Sequence, residues 1–425
     1  MPEPLGYATG SYEATRADFG GFVISDDVRE VSSAASKVAE PDFWTDDPYP
    51  HLAHLRRAEP LARAESPTGT GFWAVTKHAD VVRMSRDPQT FCSSRGVLLM
   101  DMDRELPEIP GALLYYDPPE HARYRRIVNP GFSTGRTKQL EAEIRERARG
   151  LLDKIVPGEP LDIVHEITVP FPLLVIADLL GVDGADWPKF YDWSDAMIAA
   201  ATERTRESEQ AVVAMAEYFL ELVAQRRTDP RDDLVSMLCQ IEVDGQRLQD
   251  AELMMFYGQL LVAGNETTRN LLSSGLIALA EHPDQLRLLR HDPSRIPVAV
   301  EELLRWTTPV ISFTRVATRD VDVRGQQIRE GDPVLLLYTS ANRDEEVFGD
   351  TGAQLDVTRD PNHHVSFGFG EHFCLGAALA RLEGRVFLEE LCARFAQLQL
   401  DAAPERLASG VIAGVVRAPM VATAA

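Results

Sequence analysis

Apolar positions recur at three- and four-residue spacing through most of the chain's middle, the period of a helix with one buried face. The pattern predicts helices over roughly 137–156, 170–181, 187–202, 207–227, 250–281, 283–291, 296–306 and 375–396. Short β-forming stretches gather in two places. Residues 61–64 and 72–75 read as a hairpin, and 313–323, 327–328 and 334–338 bunch β-formers around Gly325 and Gly331. Strands that cluster apart from the helices predict a mostly α fold with small segregated β-sheets (α+β), and disfavour a doubly wound sheet. No Gly/Ser linker, low-complexity tract or repeat marks a seam, so one domain over 41–425 is expected, preceded by an extension over 1–40.

The 250–281 segment would be about 45 Å of helix if unbroken. Its first half is nearly all apolar, and then Ala263-Gly264-Asn265-Glu266-Thr267-Thr268 interrupts it. Glycine costs about 1 kcal/mol against alanine inside a helix, and Asn and Thr are poor formers too. Local rules broken deep in apolar sequence mark a place where function is expected. Small Ala263 and Gly264 would let a ligand lie against the backbone. Thr267 can bond back to a carbonyl and loosen the helix, and Glu266 is a carboxylate able to pass protons.

A second rule-breaking stretch is Phe367-Gly368-Phe369-Gly370-Glu371-His372-Phe373-Cys374-Leu375-Gly376. Its glycines allow positive φ and close approach to a flat ligand. The alanine- and leucine-rich run after Cys374 puts the sulfur at a helix N-terminus, where N–H groups and the dipole favour a thiolate. Two further pairs stand out: Glu302 and Arg305, three apart on one helix face, and His121 and Arg125, one turn apart after Asp117-Pro118-Pro119-Glu120.

The loop resembles the haem-ligand loop of the cytochrome P450 family, F-G-x-G-x-H-x-C-x-G, at every fixed position. Residues 263–267 resemble that family's oxygen groove, A/G-G-x-D/E-T. The resemblance spans nearly the whole chain from about residue 40, and is nearest the actinobacterial sterol and methyl-branched lipid hydroxylases over 117–132, 263–270, 301–309, 340–348 and 404–410. It implies haem b (iron protoporphyrin IX) ligated by Cys374 and cradled by Ala263, Gly264, Phe367, Gly368 and Gly376. His121, Arg125, Arg315 and His372 match the positions that hold the propionates. Glu266 and Thr267 would deliver protons to dioxygen. Glu302, Arg305 and Arg359 would form a buried structural trio. Val97, Leu98, Leu99, Met100, Gln259, Val262, Ala263, Val310, Ile311, Phe313, Val411 and Ile412 fall where the family lines its substrate pocket. The implied reaction is monooxygenation of a hydrophobic substrate, most naturally a sterol or steroid, terpenoid or branched-chain lipid. A tailoring hydroxylase of macrolides or other secondary metabolites carries the same motifs, and a non-enzymatic haem-thiolate sensor is the remote alternative. A peroxygenase would lack the acid–alcohol pair.

Composition narrows the setting. A net charge of −23 argues against nucleic-acid binding and against attraction to anionic membrane. The first twenty-one residues lack a basic or apolar leader, and 253–264 is too short and carries Gln259, so no membrane anchor and a cytoplasmic location are expected. Four scattered cysteines make neither a disulfide framework nor a paired zinc motif, and His363, His364, His372 and Cys374 have the wrong spacing for zinc. No flavin or dinucleotide fingerprint is present, so electrons are expected from a ferredoxin and an NAD(P)H-dependent ferredoxin reductase. Between His121 and Leu140 there is no acid, while Arg123, Arg125, Arg126, Arg136 and Lys138 are basic. This charge reversal is the expected ferredoxin seat.

Overall fold

Helices form where the apolar period runs, and the sheets stay apart from them. The computed structural model describes residues 31–106, 110–202, 205–242 and 245–425. The first thirty residues of the expected extension lie outside these. Residues 31–40 belong to the packed body: Ser32 caps the short helix Ser33–Ser36, its N–H donates to the Arg63 carbonyl (2.8 Å), and Ala35 and Val38 are buried.

The long helix Asp250–Glu281 is continuous through its polar interruption. It packs against the helices Pro170–Leu180, Trp187–Thr202, Arg206–Thr228, Ile296–Thr307 and Ala377–Arg394, and so forms the axis of the main apolar core. The expected 137–156 helix is instead two, Thr134–Gln139 and Glu141–Leu152. Leu140 turns between them, its N–H donating to the Thr137 carbonyl, a tightened bond that ends the first helix. The expected 375–396 helix begins at Ala377, because Leu375 and Gly376 still belong to the cysteine turn, and Phe395 already starts a strand.

The larger sheet has five strands in the order Leu61–Glu65, Gly71–Val75, Pro333–Leu337, Ser312–Ala317, Phe91–Cys92. Alternation divides its side chains. Trp73, Val75, Val334 and Leu336 join one apolar cluster, while Phe72, Ala74, Leu335 and Leu337 join another. The Ser312–Ala317 strand presents Phe313 and Arg315 to the site. A three-stranded sheet of Pro160–Asp162, Pro419–Ala424 and Phe395–Leu400 closes the C-terminus.

Glu302, Arg305 and Arg359 come together with almost no exposure. Arg305 grips Glu302 with two 2.7 Å bonds and donates to the carbonyls of Asn342 (2.9 Å), Gly352 (2.8 Å) and Gln354 (2.9 Å). Arg359 Nε and Asn362 Nδ2 reach Glu302 Oε2 at 3.2 and 3.0 Å, and the Asp356 N–H reaches Oε1 at 2.9 Å. Every lone pair of the carboxylate is used, which is what makes this buried ion cluster tolerable. Glu302→Gln leaves two arginines facing a neutral amide, and we predict a loss of about 3–5 kcal/mol in urea unfolding of the cofactor-loaded protein. A loss below about 1 kcal/mol would show the cluster to be incidental to folding.

Candidate active site

The cysteine loop is shaped by its glycines. Gly368 and Gly370 adopt φ of +68° and +71°, and a Cβ at Gly370 would sit 2.2 Å from the Ser85 carbonyl oxygen, so no other residue fits there. The Cys374 N–H donates to the Phe367 carbonyl at 2.9 Å, closing the loop. Arg381 and Arg86 lie over the Phe367 and Phe369 rings, each at 4.5 Å. The following helix starts at Ala377 with Gly376 as its cap, so Cys374 stands just ahead of the helix terminus.

Cys374 is exposed by surface area, yet burial pushes its thiol up from its ordinary value. The two agree if the open surface of the sulfur faces an interior space. The Gly376 N–H and the guanidiniums of Arg125 and Arg381 pull the other way, toward thiolate. A Cβ at Gly376 would meet nothing within 4 Å, so packing against protein does not explain this glycine.

Around this sulfur the structure gathers His121, Arg125, Arg315 and His372. The two imidazoles lie 4.2 Å apart, and Ser93 Oγ holds His372 Nε2 at 3.1 Å. His121 and Arg315 are 2% and 4% exposed. Arg315 donates to the Thr314 carbonyl (2.8 Å), and neither arginine has an ion pair among the described residues. The nearby Asp117 carboxylate is engaged by the N–H groups of Ser93 and Ser94. Burial, then the neighbouring cations, lower His121 to about 4 and His372 to about 2, so both are neutral donors at pH 7. One buried guanidinium, Arg315, and one half-buried, Arg125, both without ion pairs among the described residues and beside two imidazoles, form a receptor for a dianion. These residues fit a thiolate-ligated haem with two propionates. Asp117, Pro118 and Pro119 precede the Glu120–Val128 helix, with Pro119 as its N-cap.

On the long helix, Ala263 is exposed, and Gln259, Val262 and Thr267 are half-buried. Positions 259, 263 and 267 share one face and define a groove. Thr267 Oγ1 donates to the Ala263 carbonyl at 2.7 Å. Gly264 turns instead toward the Pro170–Leu180 helix, where an added Cβ would lie 3.2 Å from Ile176 Cδ1. Helix packing therefore accounts for the glycine, and Ala263 alone of the pair opens to the groove. Glu266 is 3% exposed and pairs with Arg269 on its own helix. Burial raises its pKa, opposed by Arg269. Acid and alcohol, adjacent in sequence, thus face different ways.

The expected pocket residues converge from three segments. The Val97 carbonyl accepts from the Thr314 N–H (2.7 Å), the Val411 carbonyl from Ile311 (2.7 Å), and Val310 bridges Ile412. Leu98, Leu99, Met100, Val310, Phe313, Val411 and Ile412 keep partial exposure. Val97 and Ile311, at 0% and 1% exposure, back the wall from within the core and do not line it. Sequence reasoning missed Asp101, whose carboxylate accepts from the Val97 and Leu98 N–H groups (3.0 and 2.9 Å) and from Tyr115 Oη (3.1 Å), pinning this loop. Its signal was an acid placed directly after the apolar run Val97–Met100. Arg269 was also missed, although an i,i+3 partner to Glu266 could be read from spacing.

The zinc alternative finds no support in the arrangement: among the described residues no three His, Cys, Asp or Glu side chains converge as metal ligands, and His364 is tied to Glu301 at 3.1 Å. The basic window is less free than it reads. Arg136 pairs with Asp232, and Arg123 lies 3.7 Å from Glu120 and 3.9 Å from Glu252. Arg126 and Lys138 remain exposed, as does Phe373 beside the cysteine at 40%. Among the described residues no helix is long and apolar enough to cross a membrane.

A family model described as Cytochrome P450 matches residues 172–417. The steroid C26-monooxygenase of Mycolicibacterium smegmatis is 38% identical, covering 87% of this chain and 89% of its own. The methyl-branched lipid omega-hydroxylase of Mycobacterium tuberculosis is 37% identical over 92% of this chain and 95% of its own. Among solved structures, Mycobacterium marinum cytochrome P450 CYP268A2 in complex with pseudoionone superposes with a TM-score of 0.83 at 33% identity, covering 93% of this chain and all of that one. The chain belongs to the cytochrome P450 family and is a monooxygenase built for a haem-thiolate iron, dioxygen, a hydrophobic substrate and a redox partner.

Proposed function

We propose that this chain binds haem b through Cys374 and hydroxylates a steroid, terpenoid or branched-chain lipid with electrons from a ferredoxin and its NAD(P)H-dependent reductase. The observation that carries the reading is an accessible thiol near His121, Arg125, Arg315 and His372, with neither guanidinium paired to a carboxylate among the described residues. Bound there, the haem supplies iron at which dioxygen is cleaved, one atom going into a C–H bond and the other into water.

The chain's own residues do the rest. Cys374 gives its thiolate, stabilised by the Gly376 N–H and by Arg125 and Arg381. Arg125 and Arg315 neutralise the propionates, while His121 and His372 donate hydrogen bonds to them as neutral rings. Ala263 would leave room for the cofactor on the groove side, and Phe367, Gly368 and Gly376 would hold it on the cysteine side. Thr267 orients the proton donor with its hydroxyl, and Glu266 replenishes it. Leu98 to Met100, Gln259, Val262, Val310, Phe313, Val411 and Ile412 hold the substrate and exclude water. The two relatives named above act, by their names, at C26 of a steroid and at the ω end of a branched lipid. Both are chain-end positions, which supports an extended hydrophobic substrate entering end-first. Exposed Arg126 and Lys138 support docking of an acidic ferredoxin in the cytoplasm.

Three outcomes test this. With ¹⁸O₂, product carries one labelled atom and water the other; unlabelled product would contradict monooxygenation. Thr267→Ala keeps consuming reductant while product falls several-fold and peroxide rises, and equal coupling in both proteins would remove Thr267 from the mechanism. Arg126→Glu slows reduction by ferredoxin, and rising salt slows the wild type toward it; rates indifferent to both would move the docking face elsewhere. A spin-state titration across sterols, branched fatty acids, terpenoids and macrolides identifies the substrate class, and a response to macrolides alone would favour the tailoring reading.

A further inference from the structure

Two limbs of chain, 96–104 and 110–117, lead into the site, and each has its own anchorage. On the first, the Val97 carbonyl accepts from the Thr314 N–H (2.7 Å), on the strand that carries Phe313 and Arg315. Asp103 accepts from Thr68 Oγ1 (2.8 Å) and from Thr70 Oγ1, in the turn between the strands Leu61–Glu65 and Gly71–Val75. On the second, the Gly111 N–H donates to Tyr116 Oη (2.8 Å), and the Tyr116 ring stacks on Tyr124 at 4.9 Å. Tyr124 donates to Glu252 on the long helix, and a Cβ at Gly111 would lie 2.7 Å from the Glu252 carbonyl oxygen. Asp101 joins the two limbs. Its side chain has no exposure. Oδ2 accepts from the Val97 and Leu98 N–H groups (3.0 and 2.9 Å) and, across the gap, from Tyr115 Oη (3.1 Å), while Arg104 Nη2 holds Oδ1 at 2.9 Å. Burial, then Asp101, raises the Tyr115 phenol, so it stays protonated and donates. Leu98, Leu99 and Met100 on one limb, and Leu113 and Leu114 on the other, keep partial exposure around this sealed carboxylate.

We infer that Asp101 is a positioning residue for the substrate: by tying Tyr115 to the Val97–Leu98 backbone it fixes the spacing of the two limbs, and with it which carbon of an extended apolar substrate is presented for hydroxylation. The inference rests on the monooxygenase reading and deepens it. Apolar contacts discriminate weakly between neighbouring methylene positions. Selecting one carbon of a long chain therefore requires walls that do not yield. Loop support alone would be met by any acceptor for the two backbone N–H groups. The phenol brought from the opposite limb is what makes the carboxylate set a distance. An acceptor lost here leaves two amides and a hydroxyl unpaired, and the limbs then part or admit water.

The test compares Asp101→Leu, Asp101→Asn and Tyr115→Phe in the full chain. Leucine matches the shape of aspartate and accepts nothing, whereas asparagine keeps an oxygen for Val97, Leu98 and Tyr115. The probe is whichever sterol, branched fatty acid or terpenoid binds the wild type most tightly. Haem-loaded Asp101→Leu binds it about tenfold more weakly by spin-state titration and spreads the product over several carbons. Its reduced carbon monoxide spectrum is that of the wild type, and Asp101→Asn follows the wild type throughout. Tyr115→Phe spreads the product by itself and adds nothing in Asp101→Leu/Tyr115→Phe. Hydrogen exchange of the 97–101 amides, followed with and without cofactor, quickens in Asp101→Leu and not in Asp101→Asn. A leucine variant with wild-type product distribution, or an asparagine variant that behaves like leucine, overturns the inference. Full additivity of Tyr115→Phe overturns the tie between the limbs. Should Asp101→Leu not fold, a single wild-type product from Tyr115→Phe overturns it alone. A wild-type chain that takes up no haem defeats the monooxygenase reading instead, and unchanged exchange in Asp101→Leu would then overturn the anchor separately.

Discussion

A sulfur enclosed by protein gives up its proton reluctantly, and everything proposed for this chain requires residue 374 to do so. Burial pushes the Cys374 thiol up, and only three influences act against it: the Gly376 N–H, Arg125 and Arg381. Each depends on a distinct part of the fold. The amide is aimed by a turn that only glycines at 368 and 370 permit, one of them jammed against the Ser85 carbonyl. Arg125 comes from the Glu120–Val128 helix, and Arg381 from the helix after the loop, where Glu301 holds it with bonds of 2.7 and 2.9 Å. The turn, the flanking helix and the two half-buried cations are one arrangement for keeping an anion in a place that disfavours it.

Buried charge is handled in two opposite ways, and the difference separates support from chemistry. Around Glu302 every donor and acceptor is matched within the chain, so the cluster has nothing left to offer a ligand. Around the cysteine, Arg125 and Arg315 lack carboxylate partners among the described residues, and burial, then the neighbouring cations, drives the imidazoles neutral. An unbalanced site of that kind is stable only when something anionic occupies it. Glu266 falls between the two: it is paired with Arg269, but next to Asn265 Oδ1 and Arg269 Nε, which are buried without partners.

The residues that bend local rules were the legible ones. Gly368, Gly370 and Cys374 announce the loop, and the break at 263–268 announces the groove, because neither makes sense as plain helix or core. Long periodic helices could be read almost to the residue, as at 250–281. What escaped were features set by contacts distant in sequence. The three-stranded C-terminal sheet pairs Pro419–Ala424 with Pro160–Asp162, more than two hundred and fifty residues apart, and neither strand has a period long enough to show. The short helix Leu234–Gln240 lacks the length for a periodic signal. Side-chain direction was beyond reach too: Glu266 and Thr267 read as a pair, and Gly264 as part of the groove, until helix packing sent them to different faces.

The claim on which the account turns is a bond from the sulfur of residue 374 to iron. Its most direct measurement is the absorption spectrum of the reduced, carbon monoxide-treated protein, compared with Cys374→Ser. The wild type should show the far-red-shifted Soret band of a thiolate ligand, and the variant should lose it. A wild-type band at the position typical of a histidine or neutral ligand would contradict the account at its root.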